Sequence, residues 1–235
     1  LASFISSDDP SLRAFIDQLR TEFQGEIEAT TIPPNLYIAT LLFNALNGIS
    51  YATDANIPLE SGTIDKIKHP YEMLEGLMEQ ISGDNTVNTF GDCDDSTALY
   101  CSLLESTGIK TALIQLPSHV MMAFDLGQIS IDRAQEMNLP DVYQPINGQV
   151  WIPIETTLIK DGFAAAWKTA IEEIRSGVVI DSTTVEAAWE KYGASPFRGT
   201  RRQFSIPKAR IQERTEADLN QPWLQEFLGH FSSRP

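Results

Sequence analysis

Between residues 91 and 125 the hydrophobic period of the chain switches from that of a helix to that of a strand, and each step is punctuated. Gly91-Asp92-Cys93-Asp94-Asp95 is a tight polar turn, after which Ala98, Leu99, Leu103 and Leu104 describe a buried helix over 93–107 that Gly108 stops. Residues 110–116 (KTALIQL) read as a strand, Pro117-Ser118 turns the chain, and residues 119–125 (HVMMAFD) read as its hairpin partner. A third strand is expected at 150–155 (VWIPIE), with 126–149 as an insertion. A helix followed by antiparallel strands restricts the chain to the α+β class, with the cysteine-bearing helix packed on the sheet.

Helices flank this unit. Leu12, Phe15, Ile16, Leu19 and Phe23 fall at helical spacing, and Pro33-Pro34 opens a second helix that Asn47-Gly48 closes. Residues 49–69 read as extended loop, Pro70 to Gly83 as a third helix, and 84–92 as a polar loop leading to Cys93. Downstream, 163–175 and 184–192 read as helices, 193–215 as an irregular arm and 216–231 as a last helix. With 235 residues and 42% hydrophobic content, the expectation is a single domain over 1–235. N-terminal helices and a C-terminal helical extension are expected to pack on the unit of cysteine helix and strands.

A net charge of −15 argues against nucleic acid or an anionic membrane as partner, because counterion release needs clustered Lys and Arg. The exception is a basic belt of Arg198, Arg201, Arg202, Lys208, Arg210 and Arg214, expected to lie across the acidic body. No stretch has the roughly 18 to 20 apolar residues of a membrane span, so direct insertion is not expected. The opening at Leu1 fits a piece of a longer chain or complex.

Cys93 and Cys101, eight residues apart on one helix, lie about 12 Å apart along its axis, too far for a disulfide. His69, His119 and His230 are scattered without metal-ligand spacing, so no metal or other cofactor is expected. An EF-hand counted from Asp92 puts Thr97 where Gly belongs and Leu103 where the bidentate Glu belongs. Those carboxylates fit helix capping instead.

A thiol at a helix start sits where unpaired N–H groups and partial positive charge favour a thiolate and an oxyanion. Strand alternation puts His119, Met121, Ala123 and Asp125 on one face, and Trp151, Pro153 and Glu155 on one face of the third strand. Neighbouring strands would then place His119 and Glu155 in front of Cys93. For an oxyanion, the Cys93 N–H is the expected donor, with Asn85, Asn88 or Thr89 as side-chain candidates. Trp151 is a candidate cleft residue as well as a candidate core residue.

Over residues 60–165 these motifs resemble the transglutaminase-like superfamily, relatives of papain-like cysteine peptidases. The resemblance rests on Gly91-Asp92-Cys93-Asp94-Asp95, Leu103-Leu104, Gly108-Ile109, Pro117-Ser118-His119 and Trp151-Ile152-Pro153-Ile154-Glu155-Thr156-Thr157. The pattern is similar to a bacterial branch, with Glu155 where the family's Trp-x-Pro-x-Asp-x-Thr ending has Asp. The resemblance implies a papain/transglutaminase-like core over 60–165, with 1–59 as N-terminal helices and 166–235 as a C-terminal helical extension packed on it, and a Cys93, His119, Glu155 triad. It also implies acyl transfer on an amide of a peptide or protein substrate, by hydrolysis or by transfer to an amine. For such a bacterial chain a periplasmic or extracellular setting stands ahead of a cytoplasmic one. The other reading is a binding module that docks peptides on the same fold without turnover.

Overall fold

The longer helices at the front of the chain begin at a proline or at an acidic cap. In a computed structural model, which describes residues 1–52, 67–83, 89–117, 119–194 and 196–232, α1 (Pro10–Glu22) opens with Asp9 accepting from the N–H groups of Ser11 and Leu12. A short α2 (Gln24–Ala29), not expected from the sequence, follows, and α3 (Pro34–Ala45) opens at the second proline of the pair. Strand β1 (Ser50–Tyr51) and α4 (Pro70–Ser82) come next, and β2 (Phe90–Gly91), parallel to β1, delivers the chain to α5 (Cys93–Thr107). Gly83 and Gly108 end α4 and α5 in the left-handed conformation, as C-cap glycines do.

The strands then follow in hairpin order. β3 (Thr111–Leu116) pairs antiparallel with β4 (His119–Ser130), from Thr111 opposite Phe124 to Leu116 opposite His119. β4 runs five residues past the expected Asp125, so the region 126–149 is not a simple insertion. It continues β4, forms α6 (Ile131–Glu136) and returns as β5 (Gln144–Ile146), joined to β6 (Gln149–Ile154) by Asn147-Gly148. Both turn residues have positive φ, 50° and 75°, the geometry of an Asn-Gly hairpin turn. β6 pairs antiparallel with β4, Met122 opposite Ile154 and Ala123 opposite Pro153.

After α7 (Phe163–Ser176), β7 (Asp181–Thr184) joins the free edge of β3, giving the sheet order β5-β6-β4-β3-β7 among the described residues. α8 (Val185–Tyr192) follows directly. The arm expected to be irregular over 193–215 contains most of α9 (Lys208–Leu219), and the expected last helix is broken at Asn220-Gln221 before α10 (Pro222–Ser232). Among the described residues no helix is long and apolar enough to cross a membrane.

Alternation divides the sheet as the sequence pattern requires. Met122, Phe124, Ile152 and Ile154 join the main core with Leu99 and Leu103 of α5, whereas Met121, Ala123 and Trp151 form a smaller cluster with Ala170 of α7. The main cluster also contains Phe15, Leu42, Trp167 and Phe227, so the flanking helices and the sheet share one apolar interior. The basic belt straps α1, α2 and α4: Arg198 meets Asp8 at 2.9 Å, Arg202 meets Glu75 at 3.0 Å, and Lys208 meets Glu26 at 3.0 Å.

One remote contact fixes α7. Gly162 (φ 100°) precedes it without a side-chain cap, and Asp218 of α9 takes the N–H groups of Phe163 (3.0 Å) and Ala164 (3.1 Å) as well as the Asn44 amide (2.8 Å). A Cβ at Gly162 would come within 2.8 Å of that carboxylate. Asp218→Ala removes the cap and leaves buried donors unpaired, so it should lower unfolding stability by roughly 2 to 3 kcal/mol in urea titrations. A loss under about 0.5 kcal/mol, the usual size for surface substitutions, would show that α7 does not depend on this cap.

Candidate active site

The acidic motif around Cys93 divides its labour. Gly91 is buried: a Cβ there would lie 2.5 Å from the methyl end of Met73 and 3.1 Å from Asp95, so a larger residue would require the Met73 side chain to move. Asp92 caps α5, accepting at 3.0 Å from both the Asp94 and the Asp95 N–H. Asp95 is buried and paired, its two oxygens taking the Lys68 N–H (2.7 Å) and ammonium (2.6 Å). Only Asp94 stays beside the thiol, with Oδ1 3.6 Å from Cys93 Sγ.

His119 starts β4 and lies at the mouth of a cavity of about 780 Å³ that Cys93 and Asp94 also line, with Leu116, Thr183 and Tyr192 on its other walls. Glu155 follows the last residue of β6. Its N–H leaves the ladder and donates to the carbonyl oxygen of Ala166 on α7 at 3.1 Å. The ladder stops at Met122 opposite Ile154, so His119 is a diagonal neighbour of Glu155, at a separation of roughly 7–8 Å between backbones in a regular sheet. The length of the glutamate side chain suits that span.

The resulting geometry is close. His119 Nε2 donates to Glu155 Oε2 at 2.5 Å, and Glu155 Oε1 accepts from the Thr157 N–H (2.9 Å) and hydroxyl (2.5 Å). Nε2 is engaged with Glu155, and Cys93, whose Sγ lies 3.6 Å from Asp94 Oδ1, lines the same cavity as the ring. The hydroxyls of Thr97 and Thr156 join at 2.8 Å, tying the Cys93 helix to the segment after Glu155.

Electrostatics follow from these contacts. Hydrogen bonds to Cys93 and Glu155 outweigh burial and raise His119 from its ordinary 6.5 to about 10. Burial would push Glu155 up, but the His119 and Thr157 hydrogen bonds hold it below the usual carboxylate value. Cys101 is completely buried, and burial pushes its thiol far up. Donor atoms of His119, Glu155 and Glu173 lie within 4.8 Å of one another. Within that group the Glu155 oxygens and His119 Nε2 hydrogen-bond each other and Thr157.

The cleft candidates fare differently. Trp151 shares the Glu155 face but lies opposite Asp125, four residues back along β6, and does not line the Cys93–His119 cavity. It is 4% exposed and packs with Ala112, Ile114, Met121, Ala123 and Ala170, so its place in the cleft is corrected to a place in the core. Asn85 and Asn88 lie outside the described residues, as does Ser118. The Thr89 N–H donates to Gln80. Glu173 was missed by the sequence reading; its only signal was a charge on the α7 stripe of Ala166 and Ala170.

Comparison with protein-family models, with curated proteins and with solved structures finds no match.

The two shifts set a pH window for stability. Raised His119 contributes fully below its unfolded value near 6.5 and loses the contribution as pH rises through about 10. Lowered Glu155 contributes above its ordinary 4.5 and loses it as pH falls through the depressed value. The stability difference between the native chain and His119→Ala, read as urea midpoints, should therefore peak between about pH 5 and 6 and shrink steadily toward pH 10. A difference that is flat across this range would contradict the His119–Glu155 ion pair.

Proposed function

We propose that the chain is a cysteine-dependent acyl-transfer enzyme with a transglutaminase-like, papain-related core, acting on amide bonds of a peptide or protein. The observation that carries this reading is that His119, bonded to the buried Glu155 carboxylate, lines one open cavity together with Cys93. The order of the parts supports it as well: a cysteine at the first residue of a helix, then antiparallel strands, with histidine at the start of β4 and glutamate one residue past the end of β6.

In this mechanism His119 holds the proton of Cys93, and Sγ attacks the amide carbonyl carbon. The carbonyl oxygen takes the negative charge near the N-terminus of α5, where helix polarity favours it. Collapse of the tetrahedral intermediate breaks the C–N bond, His119 gives its proton to the departing amine, and a thioester to Cys93 remains. Water, deprotonated by His119, then releases an acid and restores the thiol; an amine in its place yields a new amide. Glu155 fixes the ring orientation and stabilises its protonated form. An open cavity admits water, which puts hydrolysis ahead of crosslinking.

Thiol reactivity tests this without a known substrate. At pH 6 iodoacetamide should label Cys93 at least about 100-fold faster than buried Cys101, and His119→Ala should slow Cys93 labelling about tenfold or more, read by peptide mass spectrometry. Equal, slow labelling of Cys93 in both proteins would remove the activated nucleophile and leave a peptide-binding module as the better reading.

A further inference from the structure

α7 lays one stripe of side chains against the end of β6. Ala166 takes the Glu155 N–H on its carbonyl oxygen, Ala170 is fully buried, and Glu173 continues the stripe at i, i+4, i+7. The two alanines let the helix approach closely. The third position places a half-buried carboxyl whose oxygen, a Glu155 oxygen and a His119 ring nitrogen all lie within 4.8 Å of one another.

Two carboxyl groups at this distance cannot both ionise freely, and the proton stays with the one that has fewer donors around it. Glu155 has His119 and both donors of Thr157. Glu173 is the group left to hold the proton: burial and the Glu155 charge push it above the ordinary carboxylate range, while His119 pulls it down. These two residues, from the end of β6 and the start of β4, are the charged groups that act on it. Asp218, from α9, caps the opposite end of α7, and on α7 itself Glu172 is exposed and Arg175 turns to Asp141.

We propose that Glu173 is a positioning residue for the His119–Glu155 pair: as a neutral acid it donates its O–H to Glu155, and when ionised it adds a negative charge that keeps the imidazole protonated. The inference rests on the reading of Cys93, His119 and Glu155 as a triad, and it supplies that triad with a second carboxyl whose charge changes with pH.

The test is the titration of the His119 ring, followed by proton–carbon NMR in the intact native chain, in Glu173→Gln and in Glu173→Ala. Both substitutions remove the charge, so both should move the His119 midpoint to lower pH by about 0.5 or more, with the urea midpoint at pH 7 little changed. A purely structural role would leave the His119 midpoint in place. Midpoints that coincide in all three proteins overturn the proposal. Cys93 labelling in His119→Ala separates this failure from that of the triad. Labelling that depends on His119, with an unshifted His119 midpoint in the Glu173 variants, refutes the role of Glu173 alone. Labelling indifferent to His119 refutes the triad and, with it, this inference.

Discussion

The hydrogen bond from His119 Nε2 to Glu155 Oε2 depends on β4 and β6 being neighbours, and much of the architecture around the site serves that adjacency. Residues 126–149 separate the two strands in sequence, yet the chain folds back through α6 and the tight β5–β6 hairpin to lie beside β4. Loop closure over this length costs little more than over a short turn, because the entropy rises only with the logarithm of length. The apolar residues Met122, Phe124, Ile152 and Ile154 make the register specific, since a slip by one residue would turn them all away from α5. Such a slip would also point His119 and Glu155 into the main core.

Charge imposes the second constraint. Asp92, Asp94 and Asp95 crowd negative charge around Cys93 in a chain of net charge −15, so it matters which of those carboxylates are occupied. Two of them are: Asp92 is held by two first-turn N–H groups, and Asp95 is buried against Lys68. Asp95 is buried whereas the Lys68 side chain is partly exposed, so losing Lys68 would take from a buried carboxylate the ammonium partner that reaches in from the surface. The imidazole opposite the thiol supplies the compensating positive charge, and Glu155 holds it there.

Local signals made the helices and the central hairpin legible in the sequence. Proline starts, glycine stops and the change of period at Gly108 correspond to real boundaries in α1, α3, α4, α5, β3 and β4. What escaped were elements whose stability comes from tertiary contact. β7, Asp-Ser-Thr-Thr, has no apolar alternation and exists because the β3 edge has unpaired backbone groups to offer. α9 buries only Ile211, Thr215, Asp218 and Leu219, too thin a stripe to stand out beside its charges. The Asn147-Gly148 turn was a readable hairpin signal that went unused. At the site, strand parity correctly put Trp151 on the Glu155 face, but parity does not fix distance along a strand. Glu173 could not be reached from strand patterns at all, because helix packing brings it in.

The account centres on Cys93 as a nucleophile whose proton His119 manages, and direct capture of the acylated protein tests it most plainly. Intact-mass spectra, taken by rapid quench after mixing with a small activated acyl ester, should show one acyl group on Cys93 that decays as water releases it. The adduct should be missing in Cys93→Ser and much slower to form and to decay in His119→Ala. An acyl group that never appears on Cys93, or that forms and decays at the same rate without His119, would contradict the account.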